Sequence, residues 1–413
     1  MTAEEAESTR ISYSGPPISQ DFQLMAKPIG PRCNLRCVYC FYRPKESLYG
    51  PSEKWRMSDQ VLEAYVRQYL GCLAHKEEVV FAWQGGEPTL MGIEFFKKAV
   101  RLQEKYKQPG QKISNSFQTN GVLIDEKWCR FFKEHGFLIG LSTDGPPEVH
   151  DPLRIDPEGR PTSARVLRAL ELMLRYGVEF NVLCCVHRLN ENKGREVYRF
   201  FRSQGVRFIQ FIPIVVPVPG KPGAVSPQSV TPEGWGRFMC DVFDEWVKRD
   251  VGSVFVQAFD MSLAAWLGMP PPLCVHAEVC GRALIIEHNG DIYSCDHFVT
   301  PDHFLGNLLK QPLRRIVDQE KQIRFGLAKL TERPEFCRQC PYDFVCKGEC
   351  PKNRLVPPPG EDKPLNYLCA GLKRFFEHIA PTMERMAAAL RAGLPASVVM
   401  EQKQQSGGPN SGS

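Results

Sequence analysis

The chain of 413 residues has no apolar run approaching the ~20 residues that a membrane-spanning helix needs. It also lacks any block of Lys or Arg, and its formal net charge of +5 is small for its length. An electrostatic grip on nucleic acid therefore has little to work with. The opening residues, MTAEEAESTR, are acidic and polar, without the basic start and apolar core of a secretory signal. A cytoplasmic location is expected, with neither membrane nor nucleic acid as a partner. Hydrophobic residues at 43% and charged ones at 24% are those of an ordinary globular protein, long enough for two or three domains.

Cysteine, by contrast, is abundant, with 16 in the chain. A cytosolic chain keeps its thiols reduced, so a disulfide framework is not expected and metal or redox chemistry leads. Cys33, Cys37 and Cys40 form a tight first group in "CNLRCVYC". Cys274, Cys280, Cys295, Cys337, Cys340, Cys346, Cys350 and Cys369 crowd the last third. Cys72, Cys129, Cys184, Cys185 and Cys240 are scattered through helical or strand-like stretches, where a free cysteine acts as a small buried hydrophobe.

Short β-branched or aromatic runs recur at "FQLMAKPI", "EVVFAWQGG", "ISNSFQTNG", "FLIGLSTDG", "EFNVLCCVH" and "VRFIQFIPIV". Between them lie segments of helical period, such as "SDQVLEAYVRQYLGCLA", "GIEFFKKAVRLQEKY" and "VLRALELMLRYG", the first with Ser58 as a cap. Strands alternating with helices predict a parallel α/β sheet, and the size predicts a partial (β/α)6 TIM-like barrel. Several strands end in polar tips, "QGGEP", "QTNG" and "STDG", and the cysteine triplet follows the first strand. Such tips are ordinary turn formers taken singly. In a barrel they converge on one rim, where active sites are built. The stretch "VVPVPGKPGAVSPQSVTPEG" reads as a connector, "WGRFMCDVFDEWVKRD" as a helix, and "AGLKRFFEHIAPTMERMAAALRAG" as a last helix packed back on the body. "SGGPNSGS" reads as a disordered tail.

Three thiolates are too few for a closed zinc site, which takes four ligands. They suit a four-iron cluster with one iron left open, since such clusters are normally tied by four cysteines. The eight C-terminal cysteines read C-x5-C-x14-C, then C-x2-C-x5-C-x3-C, then Cys369. That is enough for two fully ligated clusters or for two zinc ribbons, and the count does not separate them.

The "CxxxCxxC" spacing after a first barrel strand, followed by an aromatic residue, resembles the radical S-adenosylmethionine superfamily. "CNLRCVYCFY", "FAWQGGEPTL", "SFQTNG", "LSTDGP", "YSCDHFV" and "LNYLCAG" together resemble the anaerobic sulfatase-maturating enzymes over about residues 22 to 380. That resemblance implies oxidation of a Cys or Ser in an unfolded sulfatase polypeptide to Cα-formylglycine. It implies S-adenosyl-L-methionine and three [4Fe–4S] clusters as cofactors, and an electron donor such as a flavodoxin or ferredoxin. A rival reading within the same superfamily is an enzyme that forms thioether or carbon–carbon crosslinks in a small peptide.

By the resemblance, Cys33, Cys37 and Cys40 hold the open cluster. Cys274, Cys280, Cys295 and Cys350 hold one auxiliary cluster of a SPASM domain, and Cys337, Cys340, Cys346 and Cys369 the other. Tyr39, Gly85, Gly86, Glu87, Ser142, Arg154 and Val215 would line the S-adenosylmethionine site. The glycines would allow close approach and Glu87 would meet the methionyl ammonium, while Arg154 could clamp its carboxylate or be an ordinary surface residue. Asp296 would be the general base, with His297 its neighbour on the opposite face of a strand. The implied organisation is an N-terminal extension over 1–21, a barrel over 22–234 and a helical linker over 235–273. The SPASM domain follows over 274–380, then the end of the last helix and the tail over 381–413.

Overall fold

The computed structural model describes residues 17–400. The expected tail and the first sixteen residues of the expected extension lie outside the described residues. Strands and helices alternate where the apolar runs predict them. They are β1 (Gln23–Lys27), α1 (Asp59–Cys72), β2 (Glu78–Trp83), α2 (Ile93–Tyr106), β3 (Lys112–Thr119) and α3 (Glu126–Glu134). There follow β4 (Phe137–Ser142), the single turn α4 (Pro147–His150), α5 (Ser163–Tyr176), β5 (Phe180–Val186), α6 (Gly194–Ser203) and β6 (Phe208–Pro213). Strands successive in the chain are neighbours in the sheet, and all these pairs are parallel. Every strand therefore points its C-terminal end to the same rim.

Local chemistry accounts for these elements. The Ser58 hydroxyl accepts from the Val61 N–H at 3.2 Å and starts α1. Val61, Leu62, Tyr65, Val66, Tyr69 and Leu70 then form its buried stripe. Between α2, α3 and the sheet an aromatic cluster fills the core, with Phe96 4.9 Å and Phe132 5.1 Å from Phe117 between ring centroids.

The segment expected as a helical linker holds α7 (Pro232–Trp246), the two-residue strand β7 (Phe255–Val256) parallel to β6, and α8 (Gln257–Trp266). It is thus partly sheet. Next come β8 (Ala283–Glu287), β9 (Asp291–Tyr293) and β10 (Phe304–Asn307). β8 runs parallel beside β1, in register from Gln23 opposite Ala283 to Lys27 opposite Glu287. The cysteine-rich region therefore opens by extending the same sheet, to ten strands in all. It continues through α9 (Leu313–Val317), α10 (Glu320–Thr331), the short turns α11 (Glu335–Arg338) and α12 (Asp343–Cys346), and the hairpin β11 (Arg354–Val356) and β12 (Leu365–Asn366). Ser19 braces this region from the N-terminal side, donating to Asp318 through its N–H and hydroxyl at 2.8 and 2.6 Å.

The last helix, α13 (Cys369–Arg391), runs through Pro381 and packs back on α7 as its pattern predicts. The two helices cross at glycines. A Cβ added to Gly371 would lie 1.9 Å from the Pro232 carbonyl oxygen, and one added to Gly236 2.7 Å from that of Gly371. Gly371→Ala is predicted to force the helices apart and lower stability by about 1–3 kcal/mol, the usual cost of overpacking. A denaturant titration with the wild-type midpoint would show that the crossing has slack.

Candidate functional site

The loop that carries the first three thiols, residues 28–42, forms neither helix nor strand. Its neighbours hold it. The Arg36 and Val38 N–H groups donate to the carbonyls of Ile155 and Leu153 at 2.8 and 2.9 Å. On the other side, the Gly86 and Glu87 N–H groups donate to the carbonyls of Gly30 and Arg32 at 2.8 and 2.9 Å. A Cβ on Gly86 would fall 1.8 Å from the Arg32 carbonyl oxygen. The close approach that demands glycine here is between two loops of this chain.

Glu87 stands beside Gly86. It is fully buried, and one carboxylate oxygen accepts from the Thr89 N–H (3.0 Å), the Thr89 hydroxyl (2.7 Å) and the Thr119 hydroxyl (2.8 Å). The other accepts from the Asn120 N–H at 2.8 Å. Its carboxyl laces the tips of β2 and β3 together. Asn120 passes the order on, donating to Asn34 at 2.7 Å beside Cys33.

A second buried carboxylate, Asp144, organises the opposite wall. Its Oδ1 lies 3.0 Å from Arg154 Nε and accepts the Cys185 N–H at 3.0 Å. Its Oδ2 accepts the Tyr39 hydroxyl and lies 3.6 Å from His187 Nε2. Burial alone would raise the Asp144 pKa, but the Arg154 guanidinium and His187 hold it well below the usual carboxylate range. Arg154 is therefore not a surface residue. It is buried, paired with Asp144, and its guanidinium carbon sits 5.5 Å from the centre of the Tyr39 ring. Ser142 at the end of β4 and Val215 just beyond β6 are buried on the same rim. Tyr39, Leu153 and Ile214 make a small apolar floor between them.

The third carboxylate is Asp296. Its Oδ1 lies 2.5 Å from Nζ of Lys27, whose side chain is 1% exposed, whereas Asp296 keeps 19% of its side chain open. Lys27 also donates to Gln84 at 2.6 Å and sits 4.3 Å above the Tyr42 ring. Burial pushes Asp296 up, yet Lys27 foremost, then His297 and Lys352, keep it ionised below its ordinary value. The chain leaves β9 at Tyr293, and residues Asp296–Phe298 form a 3-10 turn. Alternation across a strand therefore does not separate Asp296 from His297, as had been expected. His297 packs on Phe41 at 5.3 Å, and burial followed by Lys352 lowers its pKa to about 4, so the ring is neutral at pH 7. Lys27 was missed in the sequence, although it is the one charge in the apolar strand "FQLMAKPI". Asp144 stands in the quoted tip "STDG", but nothing in the sequence marked it as the partner of Arg154.

All sixteen cysteines are free, and four of the five scattered ones are buried as small hydrophobes; Cys185 instead borders the site, 3.4 Å from Arg154 Nη2. The remaining eleven sort by mutual influence. Burial, then Glu87, then Cys37 and Cys40 push the Cys33 thiol up to about 12. Burial likewise raises Cys37 to about 11, against the pull of Arg154. In the C-terminal region Cys295 is raised by burial and feels Cys350 and Cys274, while Cys280 feels Cys274. Cys346, raised by burial, feels Cys369 and Cys337, and Cys369 feels Cys340. Thiols gathered and buried in this way resist ionisation on their own, and a cationic iron centre is what would draw off their protons. Among the described residues no three His, Cys, Asp or Glu groups sit where one metal ion could hold them. No described helix is long and apolar enough to cross a membrane.

Comparison with known proteins gives matches along the chain. The Radical SAM superfamily profile matches residues 28–201, and the iron-sulfur cluster-binding domain SPASM matches residues 274–341. The serine-type anaerobic sulfatase-maturating enzyme of Bacteroides thetaiotaomicron is 41% identical over 387 residues, covering 91% of this chain and 93% of that protein. The cysteine-type enzyme of Clostridium perfringens is 36% identical over 376 residues, covering 90% and 99%. The solved structure of native anSMEcpe with bound AdoMet and Cp18Cys peptide superposes with a TM-score of 0.81 at 35% identity, covering 89% of this chain and 99% of that one.

The Asp144 pairing generates a prediction. Asp144→Ala leaves the Arg154 guanidinium buried and unpaired, which costs about 3–5 kcal/mol. The variant should unfold at markedly lower denaturant. Unchanged stability would mean that Arg154 finds another anion or reaches water.

Proposed function

This chain belongs to the anaerobic sulfatase-maturating enzymes, and we propose that it oxidises a Cys or Ser side chain in an unfolded sulfatase polypeptide to Cα-formylglycine. Its cofactors on this reading are S-adenosyl-L-methionine and three [4Fe–4S] clusters, its electron donor is a flavodoxin or ferredoxin, and its compartment is the cytoplasm. Cys33, Cys37 and Cys40 would leave one iron open for S-adenosylmethionine. Cys274, Cys280, Cys295 and Cys350 would close one auxiliary cluster, and Cys337, Cys340, Cys346 and Cys369 the other.

The observation that carries the reading is Asp296: ionised, partly open, and adjacent in sequence to Cys295. Taking a CH2–SH or CH2–OH carbon to the aldehyde level removes two electrons and two hydrogens. The bound cofactors would supply the abstraction of one hydrogen atom from Cβ and a sink for the electron left behind. Asp296 takes the remaining proton from the substrate sulfur or oxygen as general base. Lys27, held on the far side of Asp296 by Gln84 and Tyr42, keeps that carboxylate charged and aimed. A serine substrate gives the aldehyde directly. A cysteine gives a thioaldehyde, whose sulfur water replaces.

The direct test incubates the reduced enzyme anaerobically with S-adenosylmethionine and peptides carrying a Cys-x-Pro-x-Arg or Ser-x-Pro-x-Arg core. Aldehyde-bearing product together with 5′-deoxyadenosine is expected by mass spectrometry. A crosslinked peptide, or no aldehyde from either core, would defeat the reading in favour of another peptide-modifying radical chemistry. Two variants locate the steps. Replacing Cys33, Cys37 and Cys40 together by Ala should abolish 5′-deoxyadenosine formation and remove about one third of the iron. Asp296→Asn should still cleave S-adenosylmethionine while the yield of formylglycine per 5′-deoxyadenosine falls, in line with general-base losses of ~10²- to 10⁴-fold. A wild-type ratio would transfer the role to another base, His297 first.

A further inference from the structure

Two buried cations and a half-buried third have no part in the reaction as drawn above. Lys329 near the end of α10 is 1% exposed, and its ammonium donates to the carbonyls of Cys274 and Val275 at 2.6 and 2.8 Å. Arg354 at the start of β11 donates through Nη2 to the Lys329 carbonyl at 2.7 Å. Arg333, 6% exposed, pairs through Nη1 with Asp343 at 2.8 Å. A Cβ on Gly348 would come within 3.1 Å of both Arg333 Cδ and Arg354 Nη2. The loop between Cys346 and Cys350, which gives one thiol to each auxiliary set, therefore rests on Arg333 and Arg354. Their fields reach both sets: Lys329 acts on Cys274, Cys280 and Cys350, and Arg354 on Cys337 and Cys280. Two donor atoms here, Arg333 Nε and Arg354 Nη1, are buried without a hydrogen-bond partner among the described residues. Buried donors seldom stay unpaired, and the sulfides of a cluster would supply the missing acceptors.

We propose that Lys329, backed by Arg354, sets the reduction potential of the cluster held by Cys274, Cys280, Cys295 and Cys350, raising it so that this cluster takes the electron left after proton removal at Asp296. The proposal rests on the thiol grouping given under the proposed function. Reducing such a cluster adds one negative charge, and a buried cation stabilises the reduced form more than the oxidised one. Net charge and hydrogen bonds to sulfur are the usual means by which a protein tunes these centres. The one-electron balance closes, because the electron leaves the substrate-derived radical as its carbon–heteroatom double bond forms, and the cluster gains it. Lys329 acts through the cluster and is a positioning residue.

A purely structural role, bracing the Cys274–Val275 turn, would also explain the hydrogen bonds of Lys329, so the test reads potential. In the Cys33→Ala, Cys37→Ala, Cys40→Ala background only the C-terminal clusters remain, and their midpoints follow from an EPR-monitored redox titration. Lys329→Gln keeps donor groups and removes the charge; Lys329→Arg keeps the charge. With iron and sulfide contents equal to the parent, Lys329→Gln should lower the reduction equilibrium constant of one cluster about tenfold, or about 59 mV for one electron. Lys329→Arg should stay near the parent value. Parent potentials in a fully loaded Lys329→Gln, or an equal fall in Lys329→Arg, would overturn the proposal. If Lys329→Gln fails to load, Arg354→Gln decides: lowered midpoints for both clusters support the proposal, and unchanged midpoints overturn it. A parent devoid of C-terminal iron would instead overturn the thiol grouping itself, and iron analysis reveals that before any potential is measured.

Discussion

The pairing of β8 with β1 is the constraint on which the site depends. Because β8 lies parallel to β1 and in register with it, the turn after β9 is delivered to the rim where the first three thiols stand. Lys27 closes β1, and Asp296 follows Cys295 just past β9, so the ion pair between them joins the first strand of the sheet to the cysteine-rich region. Were β8 shifted by one residue, its buried side chains would turn to the other face, and Asp296 would lose both its cation and its position.

Three carboxylates share this rim, and their surroundings separate their roles. Glu87 is satisfied wholly by hydroxyl and amide donors and ties two strand tips together. Asp144 is satisfied by a guanidinium, a phenol and a backbone amide, and it fixes the wall on which Tyr39 and Arg154 sit. Both are closed to solvent. Asp296 has its cation on one side only and keeps an open face on the other. A buried ion pair is a poor source of stability, because desolvating both charges offsets much of their attraction. At Asp296 the pair is better understood as holding an ionised carboxylate at a fixed place on the rim.

Much of this was legible in the sequence. Each of the six apolar runs became a strand, and Ser58 capped its helix, because period and capping are local signals that the tertiary structure did not need to override. The family resemblance was legible too, since it rests on short motifs at the strand ends. What the sequence hid was partnership at a distance. Nothing local tells that Arg154 faces Asp144 or that Lys27 faces Asp296, because these pairs are set by sheet order and by loops crossing. The turn at residues 296–298 was misread as strand for a related reason: a short polar stretch after a cysteine carries no periodicity long enough to decide.

The loop at residues 28–42 has no ladder of its own, yet two other loops hold its backbone from either side. Local opening of a segment usually needs only its own hydrogen bonds to break. Here the Arg36 and Val38 amides can open only if residues 153–155 part from the loop, while Gly86 cannot move toward Arg32 at all. The Arg36 and Val38 amides should thus exchange with solvent far more slowly than those of a loop held only by its own turns.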